Sequence, residues 1–168
     1  PLTEFLEPEQ LALSQAGGAK LVHQVRMLSE KNPNMVVVKV DMRNAHNEVS
    51  RAAVLEALER EPSLRHLAWH QATCQASHTG LETGGKLWGW AGEGQSQGDP
   101  EAGAWFCVAW HMEVRELNAI LSAHGGMARF GNDDGYLIGP AAALFPALEQ
   151  FAAKVREKCL LHHQVANP

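Results

Sequence analysis

An α/β (α+β) fold with a mainly antiparallel sheet packed against helices is what this sequence predicts, from three features. Residues 35–42, MVVVKVDM, form a β-branched run of the length of a buried strand. Two segments, GGKLWGWAG and MARFG-NDDG-YLIGP, have the turn chemistry of hairpins. Between and around them lie stretches of helical periodicity, in the order helix, strand, two helices, edge hairpin, long helix, hairpin, helix. Hairpins pair their strands antiparallel, so this order favours an antiparallel sheet covered by helices over a doubly wound parallel one.

Each element has its local reason. In 18–31, GAKLVHQVRMLSEK, the residues Leu21, Val22, Val25 and Leu28 recur at helical spacing. The break KNPN separates this helix from the strand, which places Asp41 near the strand's C-terminal end. Ser50 is a helix cap for SRAAVLEALERE, with Ala53, Val54 and Leu58 on one face. Pro62 and Ser63 restart the chain into SLRHLAWHQATCQASH, a second helix in which Leu67 and Trp69 are expected to help fill the core. A Gly-rich hairpin with an edge strand around Lys86–Trp90 follows. Asp99 and Pro100 read as cap and first turn of the longest helix, which Gly125 and Gly126 close. The last helix carries Phe145, Leu148, Phe151, Ala152, Val155 and Cys159 at helical spacing, with Pro146 tolerable only inside its first turn.

The 168 residues suffice for one domain with a proper core: 45% are hydrophobic and 20% charged. No run approaches the ~18 apolar residues of a membrane span, and the opening PLTEFLEPEQ lacks the charged start and apolar run of a secretory leader. Cys74, Cys107 and Cys159 form neither a disulfide framework nor a CxxC site, which leads us to expect an intracellular, reducing compartment, nucleus or organelle not distinguished. The formal charge of −5 is unlike that of a free-standing nucleic-acid binder, which is usually basic.

Only four aspartates occur, against fifteen glutamates, and two of the four, Asp133 and Asp134, are adjacent in a hairpin turn. A solvated Asp-Gly turn is the plain reading. Two carboxylates side by side nevertheless repel each other unless a cation stands between them. If the hairpin lies beside the 35–42 strand, Asp41 joins them, and three carboxylates at adjoining strand tips suit a two-metal site. Magnesium takes a few carboxylates together with substrate phosphates and water.

Three segments then share a resemblance. VVVKVDMRNAHNEVSR resembles the first catalytic motif of reverse transcriptases (RNA-directed DNA polymerases) of the non-LTR retrotransposon and group II intron type. EGQSQGDPEAG resembles their second motif, a Gly-Gln-Gly-Asp-Pro loop opening a long helix, and FGNDDGYLIGP their aromatic-x-Asp-Asp hairpin. The ordered set runs from about residue 10 to about residue 160. It implies a polymerase palm over 18–160, an N-terminal extension over 1–17 and a C-terminal tail over 161–168, without full fingers or a thumb.

The resemblance implies two-metal nucleotidyl transfer to a primer 3′-end, with Mg²⁺ or Mn²⁺ on Asp41, Asp133 and Asp134 and with an RNA template and DNA primer as partners. Arg43, Asn44, His46, Gln97 and Gly98 would line the nucleotide or template path, His46 standing where the family usually has an aromatic. Gly131 and Asn132 depart from the family hairpin, with Phe130 displaced by one position. The alternative is a palm-derived domain without catalysis, a structural or RNA-associated subunit bound to protein partners in a larger assembly.

Other patterns have plain readings. His66, His70, Cys74 and His78 recur every four residues, a spacing open to a transition metal with His162 and His163, but also ordinary for the polar side of an amphipathic helix. Trp69, Trp105 and Trp110 lie in helices and are expected to be buried, whereas Trp88 and Trp90 are candidates for an exposed platform, for a base or a protein. GGKLWGWAGEG lacks the GK[ST] and following helix of a phosphate loop.

Overall fold

The computed structural model describes residues 2–74, 79–95, 99–159 and 162–165. Its centre is a four-stranded antiparallel sheet of β1 (Val36–Arg43), β4 (Met127–Gly131), β5 (Asp134–Gly139) and β6 (His162–Val165), in the order β4-β5-β1-β6. A separate ribbon pairs β2 (Thr79–Thr83) with β3 (Lys86–Ala91). Around the sheet lie α1 (Leu2–Leu6), α2 (Gly17–Lys31), α3 (Ala45–Glu48), α4 (Arg51–Arg60), α5 (Arg65–Cys74), α6 (Ala102–Ser122) and α7 (Ala141–Cys159). The expected architecture is therefore the observed one.

Alternation divides the sheet into two faces. Val38, Val40 and Met42 of β1, Leu137 of β5 and Ala128 and Phe130 of β4 are buried beneath α4, α6 and α7. Phe130 is wholly buried and meets Trp110 edge-on at 4.9 Å and Phe151 at 5.8 Å between ring centroids. Its register partner is Gly135, which has no Cβ to contest the ring's space. The other face carries Lys39, Asp41 and Arg43 on β1, Asp134 and Tyr136 on β5, and Arg129 and Gly131 on β4. Helix α2 covers the β4 end of that face: Arg129 donates to Gln24, and Leu21 lies over Gly131.

Several expectations are corrected. Trp69 is not in the core but 75% exposed, because α5 turns Leu67 and Ala68 inward instead. Phe145 is 48% exposed and Leu144 takes the core position. Pro146 lies in the second turn of α7, beyond the N-terminal turn where its missing N–H costs nothing, on an exposed stretch. Helix α6 begins at Ala102, and Asp99 accepts from the Glu101 N–H at 2.9 Å in the turn that leads into it. Gly125, at φ 74°, does end that helix, and the Gly126 N–H returns to the Leu121 carbonyl at 2.9 Å.

Residues 2–11 and 162–165 both join the domain. Leu6 and Leu11 are buried, and residues 9–11 run along the outer edge of β4 through the Phe130 N–H to Glu9 and the Leu11 N–H to the Phe130 carbonyl. The stretch expected as a C-terminal tail contributes β6, which pairs with β1 from Val40↔Val165 to Arg43↔His162.

Candidate functional site

The register between β1 and β5 sets Asp41 directly opposite Asp134. Both occupy the face turned away from the core, half-exposed, at the end of the sheet where β4 and β5 turn. Asn132 and Asp133 form that two-residue turn between the closing pair Gly131 and Asp134. Asn132 sits at φ 66°, a left-handed conformation that Asn tolerates better than most side chains. The Met42 N–H donates to the Asp133 carbonyl at 3.3 Å, which ties the turn to β1. The three aspartates thus come from one sheet end.

Their electrostatic situations differ. Asp134 pairs with Lys39 at 3.0 Å, two residues from Asp41 on the same face of β1. That hydrogen bond, and then the charge of the carboxylate, raise the Lys39 pKa above the ordinary lysine value. Among the described residues, the Asp41 and Asp133 side chains make no hydrogen bond or ion pair. Burial, and secondarily the charge of Asp133, push the Cys107 thiol up to about 12, so Cys107 remains a protonated, inert neighbour.

The other expected residues divide. Arg43 is exposed on the same face as Asp41 and is register partner to His162. Asn44, exposed and at φ 49°, precedes α3, donates to Glu48 at 2.9 Å and accepts from Asn47 at 2.7 Å. His46 is half-buried and stacks on Phe106 at 4.7 Å between centroids with an interplanar angle of 21°. Gln97 and Gly98 lie outside the described residues. Before them, Gln95 is buried and its backbone N–H donates to the His46 carbonyl at 2.6 Å.

One participant went unrecognised in the sequence. Asn132 read as a departure from a hairpin pattern, yet its amide lies 3.4 Å from His46 Nε2 and accepts from Cys107 Sγ at 3.7 Å. The signal available was an Asn at a hairpin turn, where a positive φ is common.

Among the described residues the His-rich helix gathers no metal-ligating group. His70 pairs with Glu101 at 2.8 Å, and neither the Cys74 side chain nor His78 is among the described residues. Among those residues no three His, Cys, Asp or Glu side chains form a group able to hold an ion by themselves. Trp88 is 68% exposed with Lys86 Nζ 4.6 Å from its ring centroid. A cleft of about 560 Å³ lies between α1, α4, α6 and the end of α7, on the helical side and away from the aspartates. No described helix is long and apolar enough to cross a membrane.

An antiparallel sheet backed by helices in this order has counterparts among solved structures. Three solved telomerase structures have this fold. Apo telomerase from Candida tropicalis, truncated from its C-terminal domain, matches 99% of this chain and 38% of its own, with a TM-score of 0.67 at 11% identity. Telomerase from Candida albicans in complex with a TWJ fragment of telomeric RNA matches 98% of this chain and 32% of its own, with a TM-score of 0.65 at 14% identity. The corresponding Candida tropicalis complex matches 99% and 32%, with a TM-score of 0.68 at 10% identity. The chain thus spans about a third of the length of these telomerases, and at such identities the likeness concerns the fold. No protein-family model matches the sequence, and no curated protein matches it.

Proposed function

We propose that this chain is the palm of an RNA-directed DNA polymerase, of the non-LTR retrotransposon or group II intron type its motifs resemble, and that it carries out nucleotidyl transfer to a primer 3′-end. One observation carries the reading: Asp41 faces Asp134 across the β1–β5 ladder, with Asp133 on the adjoining turn and, among the described residues, no hydrogen bond or ion pair on the Asp41 or Asp133 side chain. Like charges directly opposite on neighbouring strands destabilise a sheet, so a site that keeps them gains from a bound cation.

The donor set fits a hard divalent ion such as Mg²⁺ or Mn²⁺, since carboxylate oxygens suit it. With no group of three ligands gathered among the described residues, the fit requires oxygens from a nucleotide triphosphate as well. Asp41 and Asp133 would hold the ion, and Asp134, already partnered by Lys39, would assist. Bound there, a divalent ion supplies activation of a primer hydroxyl and neutralisation of the leaving pyrophosphate. Arg43 presents its guanidinium on the same face to phosphate oxygens of an RNA template or DNA primer. His46 holds the inner wall through its stack on Phe106.

A second reading, a palm-derived structural or RNA-associated subunit without catalysis, is favoured by the Lys39–Asp134 pair, which already neutralises one of the three carboxylates. Mn²⁺ binding, followed by electron paramagnetic resonance with primer-template and deoxynucleoside triphosphate present, separates the two. Catalysis requires binding by the parent chain and its loss in Asp41→Asn and Asp133→Asn. Undiminished binding in both variants would refute the site, and no binding by the parent would support the structural reading.

A further inference from the structure

We infer that Asn132 is a positioning residue for this site, its side-chain amide bridging α3 and α6 so that the turn bearing Asp133 is held in one place. The inference rests on the nucleotidyl-transfer reading above and concerns Asn132 and Cys107, to which the motif resemblance gives no role, together with His46.

The bridge has a defined polarity. Cys107 is wholly buried and remains a thiol, so its S–H is a donor only an oxygen can satisfy well. Asn132 Oδ1 at 3.7 Å is that oxygen. The amide orientation follows: Nδ2 is turned toward His46 and donates to Nε2 at 3.4 Å. That bond is made by the tautomer that carries its ring proton on Nδ1. The ring itself is fixed by Phe106, which neighbours Cys107 on α6.

Three chain segments far apart in sequence therefore converge on one amide: the α3 helix following β1, the middle of the long helix, and the hairpin turn. Asp133 is the next residue along. Its carbonyl is tied to the Met42 N–H, so its backbone is constrained on one side by β1 and on the other by the Asn132 bridge. A left-handed turn without such a tie can exchange between turn types, and a carboxylate on it would be poorly placed.

Three substitutions test this. Asn132→Gly keeps a positive φ accessible and deletes the amide. His46→Phe keeps a ring on Phe106 and deletes the acceptor. His46→Gln restores an acceptor. With Mn²⁺ and deoxynucleoside triphosphate present, the first two should each weaken Mn²⁺ binding about fivefold, the worth of one neutral hydrogen bond, and His46→Gln should recover most of it. The double variant Asn132→Gly/His46→Phe should be about as weak as either single one, because both delete the same bond.

Amide exchange at Met42, measured without metal, should quicken about fivefold in Asn132→Gly and His46→Phe, with circular dichroism unchanged. Parent-like Mn²⁺ binding and exchange in both variants, or additive losses in the double, would overturn the positioning role while leaving the polymerase reading intact. Failure of the parent to bind Mn²⁺ would remove the polymerase reading and with it the role, and Met42 exchange would still decide whether the bridge exists.

Discussion

Replacing Gly135 by Ala perturbs the strand that sets Asp134 against Asp41. A Cβ at this position would lie 2.1 Å from Phe130 Cε1, 2.5 Å from Cδ1 and 2.7 Å from Cζ. Ordinary carbon contacts begin at ~3.5 Å, so the ring would have to withdraw by more than 1 Å, roughly. It cannot do so cheaply, since it is wholly buried between Trp110 and Phe151. Overpacking of this kind costs about 1–3 kcal/mol, and three ring atoms inside the contact distance place it near ~3. Removing a strand glycine returns ~0.5–1 kcal/mol of conformational entropy, leaving a net loss of about 2 kcal/mol.

Urea unfolding of Gly135→Ala should then show a midpoint lower by about 1 M at unchanged slope. In a Phe130→Leu background the ring is absent and the Gly135→Ala penalty should largely vanish, a coupling of ~2 kcal/mol. A single-variant loss below ~0.5 kcal/mol would refute the packing argument, as would a penalty undiminished beside Leu at 130.

Three other outcomes are expected. His111 is fully buried and its pKa is lowered to about 4, chiefly by burial and then by the Arg115 charge. The fold therefore holds the neutral ring: its contribution is complete above about pH 6.5 and fades as the pH falls toward 4, by about 3 kcal/mol, a loss that His111→Gln should remove from acid unfolding curves. Pro146→Ala should restore an N–H to the second turn of α7 and raise stability by about 1–3 kcal/mol, seen as a Tm higher by roughly 2–4 °C per kcal/mol. In Asp134→Asn, NMR titration of the Lys39 amine should report a pKa back at the ordinary lysine value. The raised value means that the ion pair's contribution is present below the unfolded-chain lysine pKa and is lost as the pH rises through the raised one.

What could be read from the sequence was what local chemistry decides. The β-branched run gave β1, the NDDG turn gave the β4–β5 hairpin, and Ser50 accepts from the Ala53 N–H as the cap it resembled. Periodicity failed where two apolar neighbours competed for one inward position: Leu144 won over Phe145, and Ala68 over Trp69. No local pattern chooses between such neighbours, since the choice is made by the space left by other helices. The strand at 162–165 was hidden because LLHHQVANP has no alternation to declare it, and pairing with β1 supplies the order instead. At the site, the alignment of Asp41 with Asp134 is a matter of register, and the engagement of Asn44 and Asn132 depends on backbone angles that residue types only suggest.

Alternation along β1 has a consequence for how such a domain can diverge. Residues 38, 40 and 42 answer to the helices behind the sheet, and 37, 39, 41 and 43 answer to whatever approaches from the other side. Each strand is in effect two interleaved texts under separate rules, one written in volume and the other in charge. A substitution in one leaves the other legible. Wholesale rewriting is possible on both sides provided volume is traded for volume and charge for charge. Chains with 10–14% identity can therefore keep a common backbone course at TM-scores of 0.65–0.68.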